Sequence, residues 1–194
     1  MVKRRFLDED LSSLVKRVED HAKNLNILQI FEPYNFPDNI LQAVESKPYY
    51  SHLASYIDLY KIRSVLEVGT CTGASALVMS EYSEKVITYD VTDQSFHDPS
   101  IFLERNIESC IFVKPESCLE IDFKLFDMIF VDVDHGGNWE KLIHEKIVMS
   151  EFSGLAFYDD VGLNQEMEDF WRGITQEKLK TKWHETSFGI VRYL

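Results

Sequence analysis

The sequence predicts an α/β protein: a seven-stranded, mostly parallel sheet with helices on both faces and a C-terminal antiparallel hairpin. Three observations carry this. From residue 64 onward, short apolar runs alternate with helical segments, the pattern of parallel strands joined by crossover helices. The first run, Ser64-Val65-Leu66-Glu67-Val68, breaks into the glycine turn Gly69-Thr70-Cys71-Thr72-Gly73 and leads straight into a helical segment. The last two apolar runs lie too close together for a crossover helix, so they form a hairpin turning at Ser187-Phe188.

The elements follow in order. Leu11, Leu14, Val15, Val18, Ala22 and Leu25 recur at helical spacing, which predicts an amphipathic helix over 7–30. Pro33 and Pro37 end it. Shorter helices follow over 38–45 and 49–60. Strands are predicted at 64–68, 86–89, 110–114, 128–133, 155–158, 182–186 and 189–192. Helices are predicted at 73–81, 101–108, 139–149 and 164–172. With no internal repeat or linker, the 194 residues read as one domain, a helical cap over 1–48 and a sheet core over 49–194.

Composition narrows the function classes. The chain is 45% apolar and 13% aromatic, which suits a packed core. Its 20 Lys and Arg stand against 33 Asp and Glu, a net charge of −13, so an extended nucleic-acid surface is not expected. No apolar run reaches membrane-spanning length, and no signal core follows the basic start. Cys71, Cys110 and Cys118 form no CxxC pair, which fits reduced thiols in the cytoplasm.

The glycine turn is the first chemical signal. Gly69 can take a positive φ, Gly73 lets the helix pack close to the strand, and Thr70, Thr72 and Ser75 present hydroxyls near the helix start. Asp90 ends the next apolar run, about 20 residues on, where it would accept hydrogen bonds from a ribose diol. A dinucleotide site wants G-x-G-x-x-G; here Cys71 occupies the middle position. Glu67 would repel a diphosphate but pair with an ammonium group. The ligand expected is therefore S-adenosylmethionine (SAM).

Leu66-Glu67-Val68-Gly69-Thr70-Cys71-Thr72-Gly73-Ala74-Ser75 resembles the first motif of class I SAM-dependent methyltransferases, which share a Rossmann-like sheet. It is most similar to the catechol and caffeoyl-CoA O-methyltransferase-like branch, which commonly lacks the middle glycine. The resemblance covers the chain from about Tyr49 onward. It implies a cofactor set of Glu67, Gly69, Thr70, Gly73, Ser75, Asp90 and Asp132, with Glu116 and Ser117 near the adenine.

Two further strand ends are acidic: Val131-Asp132-Val133-Asp134-His135 and Tyr158-Asp159-Asp160. Adjacent parallel strands lie roughly 5 Å apart, so Asp132, Asp159 and Asp160 should converge beside the glycine turn. Carboxylates so close need a compensating cation, and oxygen donors suit Mg2+. These segments also resemble the I-D-x-D-H and D-D motifs of the same branch, which implies metal ligation by Asp132, Asp159 and Asp160. The base candidates are Asp134, slightly ahead, and His135. The branch carries a Lys near this place that is absent at 133–135. His52, His97, His144 and His184 show no ligand spacing and read as surface or core residues.

The expectation is an O-methyltransferase that moves a methyl group from SAM to a small-molecule hydroxyl with Mg2+ assistance, with a homodimer left open. Its rivals are a SAM-binding protein without catalysis and a nicotinamide-dependent oxidoreductase. The acceptor is not written in these motifs, because acceptor residues lie on loops and cap helices that differ among proteins of one fold.

Overall fold

The structure is a computed structural model that describes residues 8–91, 99–111 and 120–194. Helix α1 spans Leu11–Ala22. It starts where the Asp10 side chain accepts the Ser13 N–H at 2.9 Å and buries Leu11, Leu14, Val15, Val18 and Ala22. It is shorter than the sequence predicts. The chain turns at Asn24, whose side chain bonds back to the Asp20 carbonyl, and Ile27–Ile30 continues as a 3-10 turn. Asparagine's competition for backbone partners explains the early stop, and Leu25 keeps a helical spacing the backbone no longer follows. Helices α2 (Asp38–Ser46) and α3 (Tyr49–Tyr60) match the prediction closely.

Strands β1 (Ser64–Val68), β2 (Lys85–Asp90), β4 (Met128–Val131) and β5 (Gly154–Tyr158) run parallel, as does β3 (Ile107–Ile111). Strands β6 (Lys178–Thr181) and β7 (Phe188–Tyr193) form the antiparallel hairpin, with β7 paired to β5. The order across the sheet is β3-β2-β1-β4-β5-β7-β6. The connecting helices are α4 (Ala74–Tyr82), α5 (Pro99–Glu104), α6 (Asn138–Met149) and α7 (Gln165–Gly173).

Three boundaries move. Helix α5 stops early and β3 starts at Ile107, because Asn106 takes a left-handed conformation (φ 56°) that its short polar side chain tolerates. The predicted strand residues 112–114 lie outside the described residues. Strand β4 ends at Val131. Strand β6 lies at Lys178–Thr181, so residues 182–187 make the hairpin connection, closed by Ser187 at φ 72°.

The period-two alternation of the strands builds two apolar layers. Val65, Met128, Phe130, Leu155, Phe157, Phe188 and Ile190 face α1, α3 and α4, in one cluster with Leu14, Leu53 and Leu77. Leu66, Ile129, Val131, Ala156, Tyr158 and Val191 face α6 and α7, with Ile143, Ile147, Met167 and Phe170. The N-terminal helices thus belong to the same apolar layer as the sheet face that carries Glu67 and Thr88. Among the described residues, no helix is long and apolar enough to cross a membrane.

Candidate functional site

The site is assembled by strand register. Val68 pairs with Tyr89 and with Val131, and Val131 pairs with Tyr158. The ladder runs one residue past the strand ends: Gly69 N–H donates to the Tyr89 carbonyl (2.7 Å), Asp132 N–H to Val68 (2.9 Å) and Asp159 N–H to Val131 (3.0 Å). Asp90, Gly69, Asp132 and Asp159 therefore stand in one row along the carboxyl edge of the four central strands. This is the crevice where open α/β sheets take ligands.

The glycine turn is tight for a steric reason. Gly69 has φ 106°, and a Cβ there would lie 1.7 Å from the Asp132 carbonyl oxygen. Gly73 opens α4 from a left-handed conformation (φ 77°). Cys71 N–H donates to Asp90 Oδ2 at 2.8 Å, which fixes that carboxylate beside the turn. Below it, Thr70 and Thr88 share a hydrogen bond (2.6 Å), and Thr88 donates to Glu67 Oε2 at 2.5 Å. Glu67 is fully buried, and its Oε1 has no hydrogen-bond partner among the described residues. Burial pushes its carboxyl up to about 7, and the Asp90 charge adds to the rise against the opposing Ser75 and Thr88 hydroxyls.

Of the three acids expected to share a metal, Asp159 and Asp160 bring ligand atoms within 4.8 Å of each other, in a group that does not include Asp132. Asp159 is 2% exposed, and burial, together with the Asp160 charge, raises it to about 6 while His184 pulls it down. Asp132 is also raised, by burial first and then by Asp159 and Glu67; Lys47 opposes this. His135 Nε2 sits 3.4 Å from both Asp132 Oδ1 and Asp160 Oδ2, bridging the two strand ends. Asp134 is exposed, and its Oδ1 accepts the Gly136 N–H (3.3 Å).

Local structure holds His135 in place. It and Asp160 both adopt left-handed conformations (φ 57° and 56°), which cost about 1 kcal/mol or more each and need support. Glu140 Oε1 accepts the His135 N–H (3.0 Å), and Asn164 Nδ2 donates to the His135 carbonyl (2.9 Å). Asn164 also caps α7 by accepting the Met167 N–H at 2.8 Å. Asn164→Ala should therefore lower stability by about 1 kcal/mol from the lost cap. A thermal melt unchanged from wild type would show that the cap carries no weight.

Sequence reasoning missed His184. Its Nδ1 lies 2.7 Å from Asp160 Oδ1 and 3.5 Å from Asp159 Oδ1, and its side chain is 13% exposed. The 182–187 turn brings it there because β7 runs antiparallel to β5 and so begins at the carboxyl edge. Reading 182–186 as a strand placed His184 mid-strand; the adjacent Trp183 was the missed signal. Trp183 is buried, stacks on His52 (4.5 Å, 5°), and its Nε1 donates to Glu19 at 2.9 Å. It anchors the turn to the N-terminal helices.

The helical segment before the sheet also reaches the site, through residues the sequence reading left unassigned. Tyr49 packs edge-on against His184 (5.8 Å) and stacks on Phe188 and Tyr50. The Lys47 amino group lies over the Tyr49 ring at 5.8 Å, and its charge reaches Asp132 and Asp159. Ser75 is buried beside Glu67. Glu116 and Ser117 lie outside the described residues. A separate groove of about 730 Å³ runs between α6 and α7, lined by His144, Glu145 and Phe170, and none of the row residues lines it.

No protein-family model matches the chain, and no curated protein matches its sequence. Solved structures do. An SAH-bound methyltransferase from Podospora anserina superposes with a TM-score of 0.69 at 17% identity, covering 96% of this chain and 97% of its own. An O-methyltransferase from Bacillus cereus in complex with SAH gives 0.61 at 15%, covering 94% and 97%. A methyltransferase from Geobacter sulfurreducens gives 0.64 at 12%, covering 92% and 97%. The chain has the fold of these methyltransferases, with the mostly parallel sheet and terminal antiparallel hairpin that its sequence predicts.

Proposed function

We propose that this protein is a SAM-dependent O-methyltransferase acting on a hydroxyl of a small molecule, with a divalent cation at the carboxylate edge. The observation that carries the reading is Glu67, fully buried at the end of β1, whose Oε1 has no hydrogen-bond partner among the described residues. A buried acid with an open oxygen calls for a cationic partner, and the ammonium group of SAM is one. A diphosphate would meet repulsion there, which counts against a nicotinamide cofactor.

The residues fit both groups. Asp90, fixed by the Cys71 N–H, is placed for a ribose diol. Ligand atoms of Asp159, Asp160 and His184 lie within 4.8 Å of one another, a spacing one cation can span. When bound, the cofactor supplies a methyl group on a cationic sulfur, and the metal supplies Lewis acidity toward the acceptor oxygen. Glu67 and Asp90 orient the two ends of the cofactor. His135 would take the acceptor's hydroxyl proton on Nε2. Asp132 and Asp160, each 3.4 Å from that nitrogen, stabilise the imidazolium. His135 is preferred to Asp134 as the base, because Asp134 is exposed and turned to Gly136.

Calorimetric titration with SAM and SAH tests the reading. Wild type should bind both in the micromolar range. Asp90→Ala should weaken them by at least about 30-fold, through two lost hydrogen bonds to a charged group. An unchanged affinity would overturn the cofactor assignment. Binding without transfer to any hydroxyl acceptor would favour a sensor.

A further inference from the structure

We propose that His184 is a metal ligand, and that the cation held by Asp159, Asp160 and His184 is a transition ion of the Mn2+, Co2+ or Zn2+ class and not Mg2+. The proposal rests on the divalent-cation part of the functional reading and is independent of methyl transfer.

Two kinds of donor meet at one point. Asp159 and Asp160 supply carboxylate oxygens from the end of β5, and His184 supplies Nδ1 from the β6–β7 turn; one atom from each lies within 4.8 Å of the others. A second imidazole faces the same carboxylate from the opposite side: His135 Nε2 is 3.4 Å from Asp160 Oδ2. Hard ions such as Mg2+ take oxygen donors and keep their waters, whereas an imidazole selects for later first-row ions.

The ring of His184 is held from outside the donor cluster. On ion binding, Nδ1 would exchange its contact with the Thr186 hydroxyl (2.8 Å) for the metal, and Thr186 would keep its hydrogen bond to Asp160 Oδ1. The ring packs edge-on against Tyr49, and the neighbouring Trp183 is pinned by His52 and Glu19. Such support fixes ring orientation, which metal-bound histidines require. Asp159, buried to 98% of its surface, gains the cation that a carboxylate in that position needs.

The test uses the full chain, stripped of metal, titrated calorimetrically with Co2+, Mn2+ and Mg2+. Wild type should bind Co2+ at least about 30-fold more tightly than Mg2+. His184→Ala should lose at least about 10-fold in Co2+ affinity, with its weak Mg2+ affinity changed little. The Co2+ absorption spectrum should shift in His184→Ala, and pulsed EPR of the Mn2+ complex should show 14N coupling that the variant lacks. Equal affinity for Co2+ and Mg2+, unchanged Co2+ affinity in His184→Ala, or absent 14N coupling would each overturn the proposal and leave Asp160 and His184 as an ion pair. His184→Asn, which keeps a polar side chain, should behave like His184→Ala toward Co2+; a circular-dichroism spectrum like wild type's excludes misfolding as the cause. SAM titration of the metal-free protein separates the two readings: loss of SAM binding sinks the methyltransferase assignment and leaves the metal result standing.

Discussion

Glu67→Gln should make the protein more stable at pH 8 while weakening its affinity for SAM. Glu67 is fully buried, and its carboxyl is raised from 4.5 to about 7, mainly by burial. Between those values the folded chain holds a proton that the unfolded chain has released, so stability falls as pH rises through that window. Above about pH 7 the cost is complete, about 3 kcal/mol. Glutamine has no charge to bury, so the variant should gain that amount at pH 8 and nothing at pH 4.5, read from urea midpoints at the two values. Thr88 can still bond to the amide oxygen, so the local network survives. SAM affinity should move the other way. The wild-type affinity should rise with pH as Glu67 ionises to meet the ammonium group, and the variant should bind at least about 30-fold more weakly at pH 8. Equal stability of the two proteins at pH 8 would mean that no charge is buried there. Equal affinity would remove Glu67 from the cofactor site.

Gly69→Ala should be the most damaging single methyl group in the chain. The residue sits at φ 106°, a conformation that an L side chain rarely adopts, and the added Cβ would lie 1.7 Å from the Asp132 carbonyl oxygen and 2.6 Å from its carbon. Neither strand end can retreat cheaply, because Asp132 N–H is bonded to Val68 and Gly69 N–H to Tyr89. The expected loss is at least about 4 kcal/mol, which for a domain of this size means largely insoluble expression or a collapsed melting transition. A soluble Gly69→Ala protein melting at the wild-type temperature would show that the turn does not have this shape.

The sheet was legible because its signals are local and periodic. Val65, Leu66 and Val68 between polar residues can hardly be anything but a buried strand, and β1 lies where the sequence places it. The acidic row was legible for a topological reason: parallel strands end on one side, so Asp132 and Asp159 had to be neighbours. His184 was hidden because its position depends on where the hairpin turns. That was decided by the burial of Trp183 among residues far away in the chain, which no local pattern records. Lys47, Tyr49 and Tyr50 escaped for the same reason. Their approach to the carboxylates follows from how the N-terminal helices dock, and their spacing looks like that of any amphipathic helix. The end of α1 was misplaced because Leu25 continues a helical spacing after the backbone has turned.

The Glu19–Trp183 hydrogen bond joins residues 164 positions apart. Contacts that close so long a loop form late, after the entropy of closure has been met by the rest of the core. The corner that carries His184 therefore depends on both ends of the chain being in place. The proposed ion, if bound there, would bind the finished corner and not its precursors, and its occupancy would lower the population of partly opened molecules in proportion to free ion over dissociation constant. Resistance to proteolysis of the C-terminal hairpin would then track metal concentration.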